Sequence, residues 1–167
     1  MTGYHITHIK DFMNKLLVSD IFDSFLLTEG TVVMGTSFVL DGTLKKDFFS
    51  PEEWEDLQLE KQKYSFWRSL RPLCFELMKG KKTPLSFKFV FQLAPYNVEK
   101  LLSKSESSFT LEDIAGLVLT IRFEGGKLTC TTATSMKLFS LEKTLEKEWD
   151  AMVSRFFDAH EIAYDVE

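Results

Sequence analysis

Between Leu85 and Leu93 large apolar residues alternate with smaller or polar ones, Leu85, Phe87, Phe89, Phe91 and Leu93 against Ser86, Lys88, Val90 and Gln92. A period of two with one bulky side is the pattern of a strand that buries a single face. Reading the rest of the chain the same way predicts further strands at Phe25–Thr28 and Thr31–Leu40, separated by Glu29-Gly30. Asp41-Gly42 reads as a type I′ hairpin turn, which needs positive φ at both central residues, with Thr43–Phe48 returning as the next strand. Gly116–Glu124 and Lys127–Thr134 form a second hairpin around Gly125-Gly126.

Helices show a different spacing. Phe12, Met13, Leu16 and Leu17 predict a helix from about Ile9 to Val18, with Thr7 as N-cap. Ser50-Pro51-Glu52-Glu53 opens another, because Ser50 caps, Pro51 suits the first helical position and Glu53 completes a capping box. Residues 66–80 fit two periods. As a helix, Trp67, Leu70, Leu73, Cys74, Leu77 and Met78 form one buried stripe; as a strand, both alternating sets are largely apolar. The helix fits better, provided Pro72 lies in the first turn or marks a kink, and Gly80 and Pro84 end it. A short helix over Tyr96–Leu102 leads into a polar loop at 103–108. Leu141–Ala159 is a long amphipathic helix, followed by an acidic tail with no predicted element. Hairpins dominate and strict βα alternation is absent. The expectation is one α+β domain over residues 1–167, a mainly antiparallel sheet packed against helices. Asn14-Lys-Leu-Leu and Glu99-Lys-Leu-Leu echo one another, each ahead of a two-strand unit.

Composition sharpens this picture at two points. Phenylalanine supplies 16 of 23 aromatic residues, and a ring without a polar handle belongs in a core. The two cysteines, Cys74 and Cys130, lie in apolar runs and read as buried reduced thiols. The N-terminus lacks the basic leader and apolar core of a signal peptide, and no segment approaches the ~18 apolar residues of a membrane span. A cytoplasmic protein is therefore expected.

Charge is strongly segregated. Residues 1–60 carry 4 basic and 11 acidic side chains, 61–137 carry 13 and 6, and 138–167 carry 3 and 8. The net charge of −5 conceals a basic centre. From Lys61 to Lys82 the cations Lys61, Lys63, Arg68, Arg71, Lys79, Lys81 and Lys82 are opposed only by Glu76. On a helix, Arg68, Arg71, Phe75, Lys79 and Lys82 fall along one flank beside the apolar stripe. With Lys81 they form a candidate ligand-binding strip, since Arg grips oxygens and a ring can stack on a planar anion. The competing arrangement puts Phe75 in the core and pairs the cations with acidic flanks of the same chain.

Other chemistry is not legible. Gly80-Lys81-Lys82-Thr83 fails as a P-loop because Phe75 stands where the first glycine is required. His5, His8 and Asp11 have ligand-like spacing but straddle the start of a helix, so no metal site is expected. His160 reads as a half-buried packing residue. No serine lies in a G-x-S-x-G context, neither cysteine has a histidine nearby in sequence, and catalytic residues stay unassigned. The hydroxyl row Thr129, Thr131, Thr132, Thr134 and Ser135 reads as a strand's outer face.

The stretch Trp67–Lys88 (WRSLRPLCFELMKGKKTPLSFK), together with Phe12–Leu17 (FMNKLL) and Phe22-Asp23, resembles a family of uncharacterised proteins from anaerobic Firmicutes over nearly the full length. The resemblance implies a stand-alone bacterial cytoplasmic protein and transfers no activity, cofactor or catalytic residue. The residues favour a binding or interaction protein whose central basic-aromatic surface takes an anionic small molecule or an acidic protein. The alternative is an enzyme acting on a phosphorylated or otherwise anionic metabolite. Nucleic acid is disfavoured because the acidic flanks repel a polyanion. No cofactor is implied, and oligomeric state is left open.

Overall fold

The alternating strand lies near the middle of a single sheet. The computed structural model describes residues 1–167. Its strands are β1 (Gly3–Ile6), β2 (Leu26–Val33), β3 (Ser37–Asp41), β4 (Ser65–Phe66), β5 (Ser86–Gln92), β6 (Ile114–Glu124), β7 (Lys127–Met136) and β8 (Tyr164–Val166). All pairings are antiparallel, in the order β3-β2-β5-β6-β7-β1-β8, with β4 attached to β2. Five helices accompany them: α1 (Ile9–Leu17), α2 (Pro51–Asp56), α3 (Trp67–Met78), α4 (Pro95–Ser103) and α5 (Thr144–Ala159). The α+β architecture read from the sequence is the one observed.

Phe87, Phe89 and Phe91 project from β5 into the main core, and Trp67 of α3 packs on the last two at ring distances of 5.1 Å. Each such buried ring contributes roughly 1.5–3 kcal/mol. The two core tryptophan N–H groups find backbone partners: Trp67 donates to the Leu16 carbonyl and Trp149 to that of Val118, both at 3.0 Å. These bonds tie α3 to α1 and α5 to β6 without an orphaned donor. Phe22 joins the helices by edge contacts with Phe12 and Phe156.

Two glycines read from sequence as chain breakers serve another purpose. β2 runs straight through Gly30, because a Cβ there would lie 2.8 Å from the Phe89 ring. The β2–β3 reversal comes later, at 34–36, where the Met34 amide donates to the Thr36 carbonyl. Gly42 is no hairpin turn either: a Cβ on it would sit 1.7 Å from the Leu27 carbonyl oxygen. Thr43–Phe48 is consequently not a strand; Thr43 makes one isolated bridge to Tyr64, and Lys46–Phe48 forms a 3-10 turn. The second hairpin follows the sequence reading, with Gly125 at φ 58° and Gly126 at φ 76°.

The helix reading of 66–80 holds, although Pro72 lies beyond the first turn. The capping box of α2 is formed by Ser50 and Glu53, but the helix stops at Asp56. Strands β1 and β8 are too short, at four and three residues, to show a period, and the acidic tail includes β8 instead of lacking structure. The echoing segments end α1 and α4, and each of these helices precedes a hairpin. The sheet does not repeat that symmetry: β1 pairs with β7, whereas β5 pairs with β2 and β6.

In β7 the hydroxyl row is split between faces. Thr132 is fully buried and donates to Asp150, which also accepts from Thr2 at 2.8 Å. Tyr4 shares a hydrogen bond with Ser154 at 2.7 Å, and burial raises its phenol pKa above the ordinary value. This network pins α5 to the β1–β7 side of the sheet. His160 is half-buried against the Phe156 ring at 4.6 Å.

Candidate functional site

The fold does not gather the six residues Arg68, Arg71, Phe75, Lys79, Lys81 and Lys82 on one face. Arg71 Nε and Nη2 donate to the two oxygens of Asp23 at 2.7 and 2.9 Å, and Nη1 donates to the Val18 carbonyl at 3.2 Å. The hydrogen bonding to Asp23 raises the guanidinium pKa further, so Arg71 locks α3 to the segment after α1. Phe75 is half-buried against the core. Lys79 pairs with Glu76 at 2.6 Å on the surface. Arg68 is exposed, its guanidinium 4.0 Å from the Phe66 ring centre. Lys81 and Lys82 lie past the helix end, exposed and without an ion-pair partner.

The basic segment is instead divided between the two ends of α3, a helix of 12 residues and hence about 18 Å long. At its N-terminal end Lys61 and Lys63 border the largest cleft, about 890 Å³. Lys137, from just beyond β7, closes the opposite wall. The floor is apolar, formed by Leu26, Leu93, Val98 and Ile114, and Glu112 is the one carboxylate among the lining residues. Tyr64 adds an aromatic wall with the Lys63 ammonium 5.4 Å from its ring centre. Gln92 lies flat over Gly116, where a Cβ would stand 2.7 Å from its Nε2 atom. A contiguous depression of about 560 Å³ shares Lys61 and Pro95 and is bordered by Arg68, Phe66 and Tyr96.

At the other end of α3, a groove of about 670 Å³ runs between α1 and the loop leading into β5. Met13, Leu17, Met78 and Phe123 contribute its apolar surface, and Lys10, Lys81 and Lys82 its charge; no carboxylate lines it. The two recesses occupy opposite ends of the strands. The large cleft meets β5 at Gln92 and β6 at Gly116, whereas the groove meets them at Phe87 and Phe123.

Three cations escaped the sequence reading. Lys137 joins the large cleft although more than 70 residues separate it from Lys61 and Lys63. Lys88 and Arg122 stand directly opposite each other on β5 and β6, flanked by Thr31 and Thr129 on the neighbouring strands. Like charges facing across a ladder cost stability unless an anion intervenes, and Lys88 reaches only the exposed Glu29 at 3.8 Å. Lys88 was visible as a polar strand position. Its partner could not be named without the β5–β6 register.

The cysteines offer no nucleophile. Both are buried and unpaired. Burial pushes the Cys74 thiol up to about 12 and raises that of Cys130 as well. No helix is long and apolar enough to cross a membrane.

No curated protein and no solved structure matches the chain. Residues 15–165 match the Family of unknown function (DUF5721), and the chain belongs to that family.

Proposed function

We propose that this protein binds a small anionic amphiphile, an apolar or planar body carrying a phosphate or carboxylate, in the Lys61–Lys63–Lys137 cleft. The observation that carries this reading is the composition of the cleft, three lysines and one glutamate around an apolar floor in a volume of about 890 Å³. Ligand pockets of this size typically combine apolar walls with a few convergent polar groups. Lysine ammonium groups on long stems reach a charged head group while the floor receives the body. Arg68, from the neighbouring depression, supplies a fourth cation for a longer ligand. Of the surface expected from the sequence, this assignment keeps Arg68 and leaves Arg71, Phe75 and Lys79 to packing and surface pairing.

A thermal-shift screen against nucleotides, sugar phosphates and fatty acids tests the reading, followed by calorimetric titration of the hits. Lys63→Glu combined with Lys137→Glu is expected to abolish binding of any hit while leaving the melting temperature of the free protein within about 2 °C. A hit retained by the double variant would place its site elsewhere.

A further inference from the structure

Residues 46–58 form a projection that the core does not claim. Neither the 3-10 turn at Lys46–Phe48 nor α2 contains a buried residue. Phe48 is 86% exposed and Leu57 57% exposed. Phe49 and Trp54 pack on each other at 5.5 Å, outside the main core. Around them stand Asp47, Glu52, Glu53, Glu55 and Asp56, none with an ion-pair partner. An exposed phenylalanine and leucine set among five acids make an amphipathic anionic knob.

The groove of Lys10, Lys81 and Lys82 is its complement in both respects, a basic rim over an apolar floor that includes Met13 and Met78. Methionine side chains adapt their shape to an incoming apolar group. The knob does not meet the groove of its own chain: none of its residues lines the groove, and Leu57 and Gln58 border the depression beside Arg68 at the other end of α3. The knob departs at Gly42, beside Leu27 near the start of β2, whereas the Leu85 amide anchors the groove loop to Val33 at the other end. Along β2 the six steps from Leu27 to Val33 separate these points by about 20 Å.

We propose that the occupant of the groove is the acidic projection of a second copy of this chain. Donor and acceptor lie on different surfaces, so the contact is heterologous: each copy that is bound through its groove still offers its own knob. Association propagates head to tail until a ring closes or concentration limits it. The contact is small, which places it among weak, reversible interfaces, and its charge makes it salt-sensitive. The Lys61–Lys63–Lys137 cleft plays no part in it.

Sedimentation velocity over roughly 10 µM to 1 mM, in about 50 mM and 500 mM salt, reads the association. The wild-type weight-average sedimentation coefficient is expected to rise with concentration at low salt and fall back toward the monomer at high salt. A groove variant, Lys81→Glu with Lys82→Glu, and a knob variant, Phe48→Ser with Leu57→Ser, are each expected to stay monomeric. Mixed in equal amounts they retain one intact groove and one intact knob between them, so they form a 1:1 dimer that cannot grow. Recovery of that dimer also shows that both variants are folded. A wild type that is monomeric at 1 mM in low salt overturns the proposal. So does a mixture that stays monomeric, or either variant associating as the wild type does.

Discussion

Arg71 grips Asp23 with two parallel hydrogen bonds of 2.7 and 2.9 Å, and both side chains are about one-fifth exposed or less. The pair joins α3 to the segment that carries Phe22 and Phe25 into the core. Arg71→Ala is expected to destabilise the fold by about 1–3 kcal/mol, because Asp23 would remain partly buried without its partner. Asp23→Ala should cost a similar amount, and the double variant less than the sum. Urea denaturation of the four proteins measures this directly. Lys79→Ala provides the contrast: its pair with Glu76 is more than half exposed on both sides, so the expected change is under about 0.5 kcal/mol.

Gly42→Ala is expected to be among the most damaging single substitutions. The added methyl would meet a backbone carbonyl at 1.7 Å, not a flexible side chain. β2 or the crossing segment must move, and the hydrogen bonds from Gly42 N to Thr28 O and from Ser65 N to Gly42 O go with it. A loss above about 3 kcal/mol is expected. Loss of protection at the Ser65 amide in hydrogen exchange would locate the damage.

Gly116→Ala behaves differently, since the clash falls on the far end of the Gln92 side chain. Gln92 swings into the large cleft at little cost to the fold. The expected result is a melting temperature within about 2 °C of wild type and a loss of affinity for any ligand that occupies the cleft. Titration of a screening hit against this variant checks it.

Both thiols should resist modification until the protein opens. With Cys74 raised to about 12, its thiolate fraction at pH 8 is about 10⁻⁴. Ellman's reagent is expected to label neither cysteine in the native protein over minutes and both in denaturant. Rapid labelling without denaturant would show that α3 opens locally.

The projection has a pH signature of its own. A hydrogen bond from the Trp54 indole, and then Lys46, hold the Glu60 carboxyl below its ordinary value of 4.5. A depressed carboxylate stabilises the structure above the unfolded-state value and loses that contribution as pH falls through the lower folded value. The Trp54 indole proton resonance is therefore expected to shift only below pH 4.5 and to return on neutralisation. A midpoint above that value would mean the hydrogen bond is absent.

The elements that could be read from sequence are those with a period of their own. β5, α1, α5 and the Gly125-Gly126 hairpin declare themselves through alternation, helical spacing or turn chemistry. Gly30 and Gly42 misled because a glycine demanded by a distant neighbour looks the same as one demanded by a turn. Phe89 and Leu27 supply those demands only once β2 is paired. The site followed the same division. The basic segment was evident as a run of charge, but the helix between its ends carries Lys61 and Lys82 to opposite recesses. Lys137 and Arg122 complete basic clusters from far along the chain, a placement that register alone decides.

The seating of β1 between β7 and β8 bears on how the protein comes into being. A strand at residues 3–6 waits for a partner that begins at Lys127, and then for another at Tyr164. During synthesis β1 has no neighbour to accept it until residues 127–136 have been made. Loops of this span close slowly, so β1 stays unpaired and open to foreign strands for longer than any other strand of the sheet.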